Sequence, residues 1–239
     1  MYFNTTILKP MQMNRREKKQ GIVAGISLIF MAIAAGFAYG YAHSNLVAGS
    51  PEITLQNLIA NKSLFLAELA GWSIIFITDL VVAIALYLFF RSTSKQTAAL
   101  TAFIRIIYTL LLGIAIYQLY RIVPVLSSLN PDAFEISTHL HMFEKLWSLG
   151  LVVFGLHLIG LGYLSVQSTS VPKLLGYLLY FGGTCYTVLH GARHLSLFDE
   201  QLLVSVEKFL ALPMALAEIL LAFWLIYFGS RNSNSKTRT

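Results

Sequence analysis

Residues 154–164 read FGLHLIGLGYL: apolar, rich in glycine, with one imidazole, His157, near the middle. The surrounding run, about 145–167, is long and continuous and does not alternate apolar with polar residues, so it reads as a helix and not a strand. A helix needs about 20 apolar residues to cross the hydrocarbon core of a bilayer, and this run is long enough. An ionisable group at that depth costs about 2.5–3.5 kcal/mol on insertion scales, so His157 asks for either a buried partner or a role.

Working outward, five further runs qualify, giving spans at about 21–43, 64–90, 98–125, 145–167, 173–195 and 209–229. Breaks rich in turn formers separate them, including Gly49-Ser-Pro51, Arg91-Ser-Thr-Ser-Lys95, Asn130-Pro-Asp132, Gln167-Ser-Thr-Ser-Val-Pro172 and Phe198-Asp-Glu200. The expected fold is all-α: one integral-membrane bundle of six transmembrane helices over 21–229, with a basic segment 1–20 before it and a basic tail 230–239 after it. Between the first two spans, Pro51–Ser63 suits a short amphipathic surface helix, with Ile53, Leu55, Leu58 and Ile59 toward lipid or the bundle.

Composition agrees. Hydrophobic residues make up 56% of the 239 and charged residues 12%, about half the share usual in soluble domains. The mean hydropathy is +0.68. The net charge of +6 does not point to nucleic acid, because the basic residues sit between hydrophobic runs, where topology signals lie. The expected surroundings are a lipid bilayer, with a small-molecule or lipid ligand as a possible partner and no nucleic acid. Cys185 is the sole cysteine, so no intramolecular disulfide forms.

Lysine and arginine set the orientation. Lys9, Arg15, Arg16, Lys18 and Lys19, then Arg91, Lys95, Lys173, Arg231, Lys236 and Arg238 gather on one side, which places both termini in the cytoplasm. Glu52, Asp132, Glu135, Asp199, Glu200 and Glu207 gather on the other, with Lys62, Lys145, Arg193 and Lys208 among them. The first apolar run is too long for a signal-peptide core and reads as a retained helix; Met11 or Met13 offers an alternative start. Asn4-Thr-Thr and Asn61-Lys-Ser match the glycosylation pattern, the first on the cytoplasmic side.

Four ionisable residues fall deep in four different spans: Asp79, Arg105, His157 and Glu218. Asp79 and Arg105 lie on helices joined by a short loop, and an arginine is long enough to reach the carboxylate, so a pair is feasible and would offset part of the burial cost. Glu68, eleven residues before Asp79, shares its face across Trp72, and that face should point inward. Glu218 has no basic neighbour in sequence. It either stays protonated or meets His157 or Arg105, and His157 bonded to Glu218 or to a tyrosine would be an ordinary buried contact.

A second group lies toward the outer face. His190 and His194, one turn apart, suit two ligands on one metal, and His139, His141 and His43 lie at the same level with Glu144 and Arg121. Gly-Ala-Arg between the pair lacks the zincin glutamate, so a metal or haem site there rests on spacing alone. Gly155, Gly160 and Gly162 against Gly176, Gly182 and Gly183 are expected to let the fourth and fifth helices approach closely.

Four stretches, NKSLFLAELAG (61–71), ALYLFFRSTSKQTAALTAFIR (85–105), LVVFGLHLIGLGYLSVQSTSVPKLLGYLLYFGGTCY (151–186) and ALAEILLAFWLIYFG (215–229), together resemble the bacterial domain-of-unknown-function family 4386, polytopic membrane proteins. The resemblance runs from about Gly21 to Gly229. It implies six helices in a bacterial cytoplasmic membrane and marks Asp79, Arg105, His157 and Glu218 as residues of the family pattern. It does not extend to 126–145 or 194–210, and so adds nothing to His139, His141, His190 and His194. Three functions stay open: binding or transport of a small ligand or lipid through the polar centre, an intramembrane enzyme acting on a lipid-like substrate with His157 or Glu218 as acid–base, or a structural or regulatory subunit whose charges lock packing.

Overall fold

The computed structural model describes residues 15–230, and every regular element among them is helical. Asn4, Lys9, Met11, Met13, Arg231, Lys236 and Arg238 lie outside the described residues. The elements are α1 (Arg15–Leu46), α2 (Pro51–Ala60), α3 (Lys62–Phe90), α4 (Lys95–Leu126), α5 (Ala133–Gln167), α6 (Lys173–His194) and α7 (Glu200–Ser230). The six long helices form a closed ring. Each packs on its chain neighbour, and α7 closes onto α1.

Five of these helices, not six, are long and apolar enough to cross a membrane: α1, α3, α4, α5 and α7. α6 is the one that does not qualify, because Lys173, four glycines, two threonines, Arg193 and two histidines dilute its apolar content. It still runs antiparallel along α5, from Gly176 against Gly162 to His190 against Ser148.

The ring's outer surface is apolar. Phe30, Ile33, Ile77, Ile84, Leu100, Phe103, Leu110 and Phe223 are all exposed. Water-soluble monomers rarely leave such continuous apolar faces, whereas hydrocarbon is a good solvent for them.

Helix boundaries exceed the apolar runs. α5 begins at Ala133, well before 145, and α7 begins at Glu200, before 209. Hydropathy registers depth in the bilayer, while Asp132 starts the α5 helix by accepting a hydrogen bond from Phe134 N at 2.8 Å. Asp199 does the same for Gln201 N at 2.9 Å. α2 ends at Ala60, with Leu58 buried, Leu55 half-buried, and Ile53 and Ile59 exposed. In α1 the segment Gly36–His43 widens to a π-helical turn, which sequence reading missed.

Close approach of α5 and α6 is confirmed at particular glycines. A Cβ on Gly162 would meet Gly176 O at 2.8 Å, and one on Gly183 would meet Gly155 O at 2.6 Å. Two of the six glycines face elsewhere: Gly160 lies against Thr101 of α4, and Gly182 against Met214 of α7. A second tight seam joins α1 and α7, where Gly25 meets Ala222 O and Gly229 meets Lys18 O.

Candidate functional site

Asp79, Arg105, His157 and Glu218 come together at the middle of the ring. Arg105 is fully buried and uses all its donors. Nε donates to Asp79 Oδ1 at 2.8 Å, and Nη2 also reaches that oxygen. Nη1 donates to Glu218 Oε1 at 3.1 Å and to His157 Nε2 at 3.0 Å. Nη2 contacts Met31 Sδ at 3.5 Å, and the guanidinium lies 5.5 Å from the centroid of the Phe154 ring.

The partners also define the imidazole. His157 Nδ1 lies 2.9 Å from the Thr101 carbonyl, which only accepts, so Nδ1 carries the proton and Nε2 accepts from Arg105. His157 thus bonds to neither Glu218 nor a tyrosine. Both carboxylates converge on the arginine, and the imidazole completes its coordination. One atom is left over: Asp79 Oδ2 is buried without a partner.

This centre is closed. The nearest void, bounded by His157, Thr101, Leu86 and Leu161, has a volume of about 10 Å³, room for at most one water. Five helices supply the contacting side chains, so the cluster ties α1, α3, α4, α5 and α7 together.

Glu68 does not join the quartet. It is buried one level away, where His43 Nδ1 lies 2.8 Å from its Oε1 and Trp72 Nε1 donates to the same oxygen at 3.3 Å. His43 Nε2 faces Glu144 Oε1 at 3.5 Å. The π-helical turn brings Tyr39 over His43, with ring centroids 5.4 Å apart, and sets Tyr39 edge-on to Trp147 at 4.5 Å. π-turns often mark functional sites, and Tyr39 of this one lines a cavity at the end of the bundle.

That cavity, about 910 Å³, opens at the end of the bundle where α1 finishes and α7 starts. Its walls are Tyr39 of α1; His141, Glu144, Lys145, Trp147, Ser148 and Leu151 of α5; His190, Arg193 and His194 of α6; and Glu200, Val204, Glu207, Lys208 and Ala211 of α7. Ser148 Oγ lies 2.9 Å from His190 Nδ1, and Arg193 Nη1 approaches the same nitrogen at 3.4 Å. An arginine only donates, so Nδ1 is the acceptor and Nε2 holds the proton. That Nε2 is buried with no partner, as is His194 Nε2. Arg193 itself is held by Glu200 at 2.9 Å and Glu207 at 2.8 Å.

Among the described residues no three histidine, cysteine or acidic side chains are placed to hold an ion. His139 leaves the group, pairing through Nδ1 with Gln118 Oε1 at 3.0 Å. His141, His190 and His194 remain as cavity walls. Sequence reading found the histidines but missed Ser148 and Trp147 of α5 and Tyr39, which the π-helical turn carries to the same cavity.

The sequence profile described as Domain of unknown function (DUF4386) matches residues 23–229. The chain belongs to this family. An uncharacterized protein of Archaeoglobus fulgidus (strain ATCC 49558 / DSM 4304 / JCM 9628 / NBRC 100126 / VC-16) is 29% identical over 166 residues, covering 70% of this chain and 86% of its own. No solved structure matches the chain. The family description names neither reaction nor ligand, so the functional reading of this DUF4386 chain rests on its geometry.

Proposed function

We propose that the protein is a multi-pass membrane protein that binds a small ligand in the cavity at the histidine-rich end of the bundle, and that the Arg105 cluster is the lock holding the helices around it. The observation that carries this reading is the contrast between the two polar regions. One is tightly packed, with room for at most one water beside it. The other surrounds a cavity of about 910 Å³. Ligand sites are typically clefts of about 300–1,000 Å³ with a few convergent polar groups.

Arg15, Arg16, Lys18, Lys19, Arg91, Lys95 and Lys173 lie at the opposite end of the ring, which under the positive-inside rule supports a cytoplasmic position for that end in a bacterial inner membrane. The cavity then opens outward.

Native mass spectrometry of the protein released from its membranes in mild detergent tests the reading. A bound small molecule is expected, and Ala211→Trp, which sets a bulky ring on the cavity wall, should weaken or remove it. An unchanged adduct in that variant would refute it.

One observation favours a second reading, an enzyme acting on a lipid-like substrate. Ser148 Oγ and His190 Nδ1 have the spacing and proton arrangement of a nucleophile and its base. No carboxylate orients the imidazole, because Nε2 is unpartnered, and this ranks the reading below binding. A serine-directed fluorophosphonate should leave Ser148 unlabelled if the cavity only binds.

A further inference from the structure

We infer that the Arg105 centre is a proton-binding site, in which Asp79 and Glu218 hold one proton between them at neutral pH. The charges of the cluster do not balance without it. Arg105 is a single cation, and it serves two carboxylates: Nε and Nη2 reach Asp79 Oδ1, and Nη1 reaches Glu218 Oε1. His157 adds no charge. Its Nδ1 donates to the Thr101 carbonyl, and a second proton on Nε2 would point at the guanidinium, which has only N–H groups to offer. One negative charge is left without a counter-charge.

That surplus sits where little solvent can screen it. The Asp79 side chain is fully buried, and that of Glu218 is 13% exposed. A buried carboxylate without its own cation takes up a proton in preference to keeping its charge. Asp79 Oδ2 is a second sign of the same deficit, because it is buried and no donor reaches it. A buried acceptor nearly always finds a partner, and a bound proton relieves this one by removing its charge. Two carboxylates joined through one guanidinium titrate as a unit, so the proton belongs to the pair.

The neighbours offer no other charge. α1 presents Met31, and α5 presents Phe154 beside His157. Tyr108 of α4 and Tyr186 of α6 lie within electrostatic reach of the carboxylates, and phenols are neutral at neutral pH. A hydrated cation has no room, since the void beside the cluster holds at most one water and is lined by neither carboxylate. The proton therefore sits where side chains of five helices meet, and its loss places an unbalanced charge at that junction.

The test is infrared spectroscopy of the full chain in dodecyl maltoside at neutral pH. This detergent has no carbonyl to obscure the C=O stretch of a neutral carboxylic acid, and solvated carboxyl groups are ionised there and do not contribute. The parent protein should show that band. Asp79→Asn and Glu218→Gln, each purified folded, should both lose it, because either change leaves one carboxylate to one guanidinium. Glu68→Gln should keep it, since Glu68 belongs to His43 and lies outside the cluster. Absence of the band from the parent protein would overturn the inference with no variant needed. A band that survives in Asp79→Asn or in Glu218→Gln would also overturn it, by marking an acid that does not share its proton. Loss of the band in Glu68→Gln would do the same, by placing the proton on Glu68.

Discussion

Arg105 Nε donates to Asp79 Oδ1 at 2.8 Å with both side chains fully buried, so the first cross-link between α3 and α4 is an ion pair in the centre of the ring. Such a pair carries a large desolvation cost that its own attraction offsets only with good geometry and further hydrogen bonds. Glu218 and His157 supply those further bonds.

Removing the arginine should therefore be far worse than removing the whole pair. Arg105→Met leaves Asp79 and Glu218 buried without a cation and should cost about 3–5 kcal/mol. Arg105→Met with Asp79→Asn should recover part of that loss. Thermal unfolding in detergent gives the comparison; equal melting temperatures for the two variants would contradict the lock.

His157 should matter for stability and not for binding. His157→Phe removes the acceptor for Arg105 Nη1 and the donor to Thr101 O, a loss of about 1–3 kcal/mol for each buried group left unpaired. Ligand retention at a temperature where the variant is folded should match the parent protein.

The two carboxylates on His43 should differ sharply. Glu68 is buried at 2.8 Å from Nδ1, whereas Glu144 is half-exposed at 3.5 Å from Nε2. Glu68→Leu strands a buried imidazole and a Trp72 donor and should lower both stability and ligand affinity, since Tyr39 stacks on that ring. Glu144→Gln should change stability by no more than about 1 kcal/mol. Melting curves of the pair, with ligand titration, decide it.

Glycine substitutions separate the seams from the open turns. Gly155→Ala places a Cβ 2.5 Å from Gly183 O and 2.7 Å from Thr187 N, backbone atoms that move only if α6 moves, and should cost about 1–3 kcal/mol. Gly191→Ala meets nothing within 4 Å and has a helical backbone, so it should be neutral or stabilising by about 0.4–1 kcal/mol. The two melting temperatures check the contrast.

The helices were legible in the sequence because bilayer-length apolar runs are a strong signal, and the quartet because charges inside such runs stand out. Asp79, Arg105, His157 and Glu218 needed no structure to be singled out. Their closure did, because which nitrogen of Arg105 meets which oxygen depends on helix rotation. The cavity was only half legible. His190, His194 and His141 were visible as histidines, but spacing along α6 suggested a metal, while the fold instead gives His190 to Ser148 and Arg193. The π-turn at Gly36–His43 has no sequence period of its own, so Tyr39 and Trp147 could not be brought to the same wall.

The most direct test of the account sets the lock against the cavity in one experiment: native mass spectrometry of Asp79→Asn and Ala211→Trp, each purified folded. Ligand retained by Asp79→Asn, even with a lowered melting temperature, and lost by Ala211→Trp is the result expected. Ligand lost by Asp79→Asn and retained by Ala211→Trp would contradict it and return the binding site to the centre of the bundle.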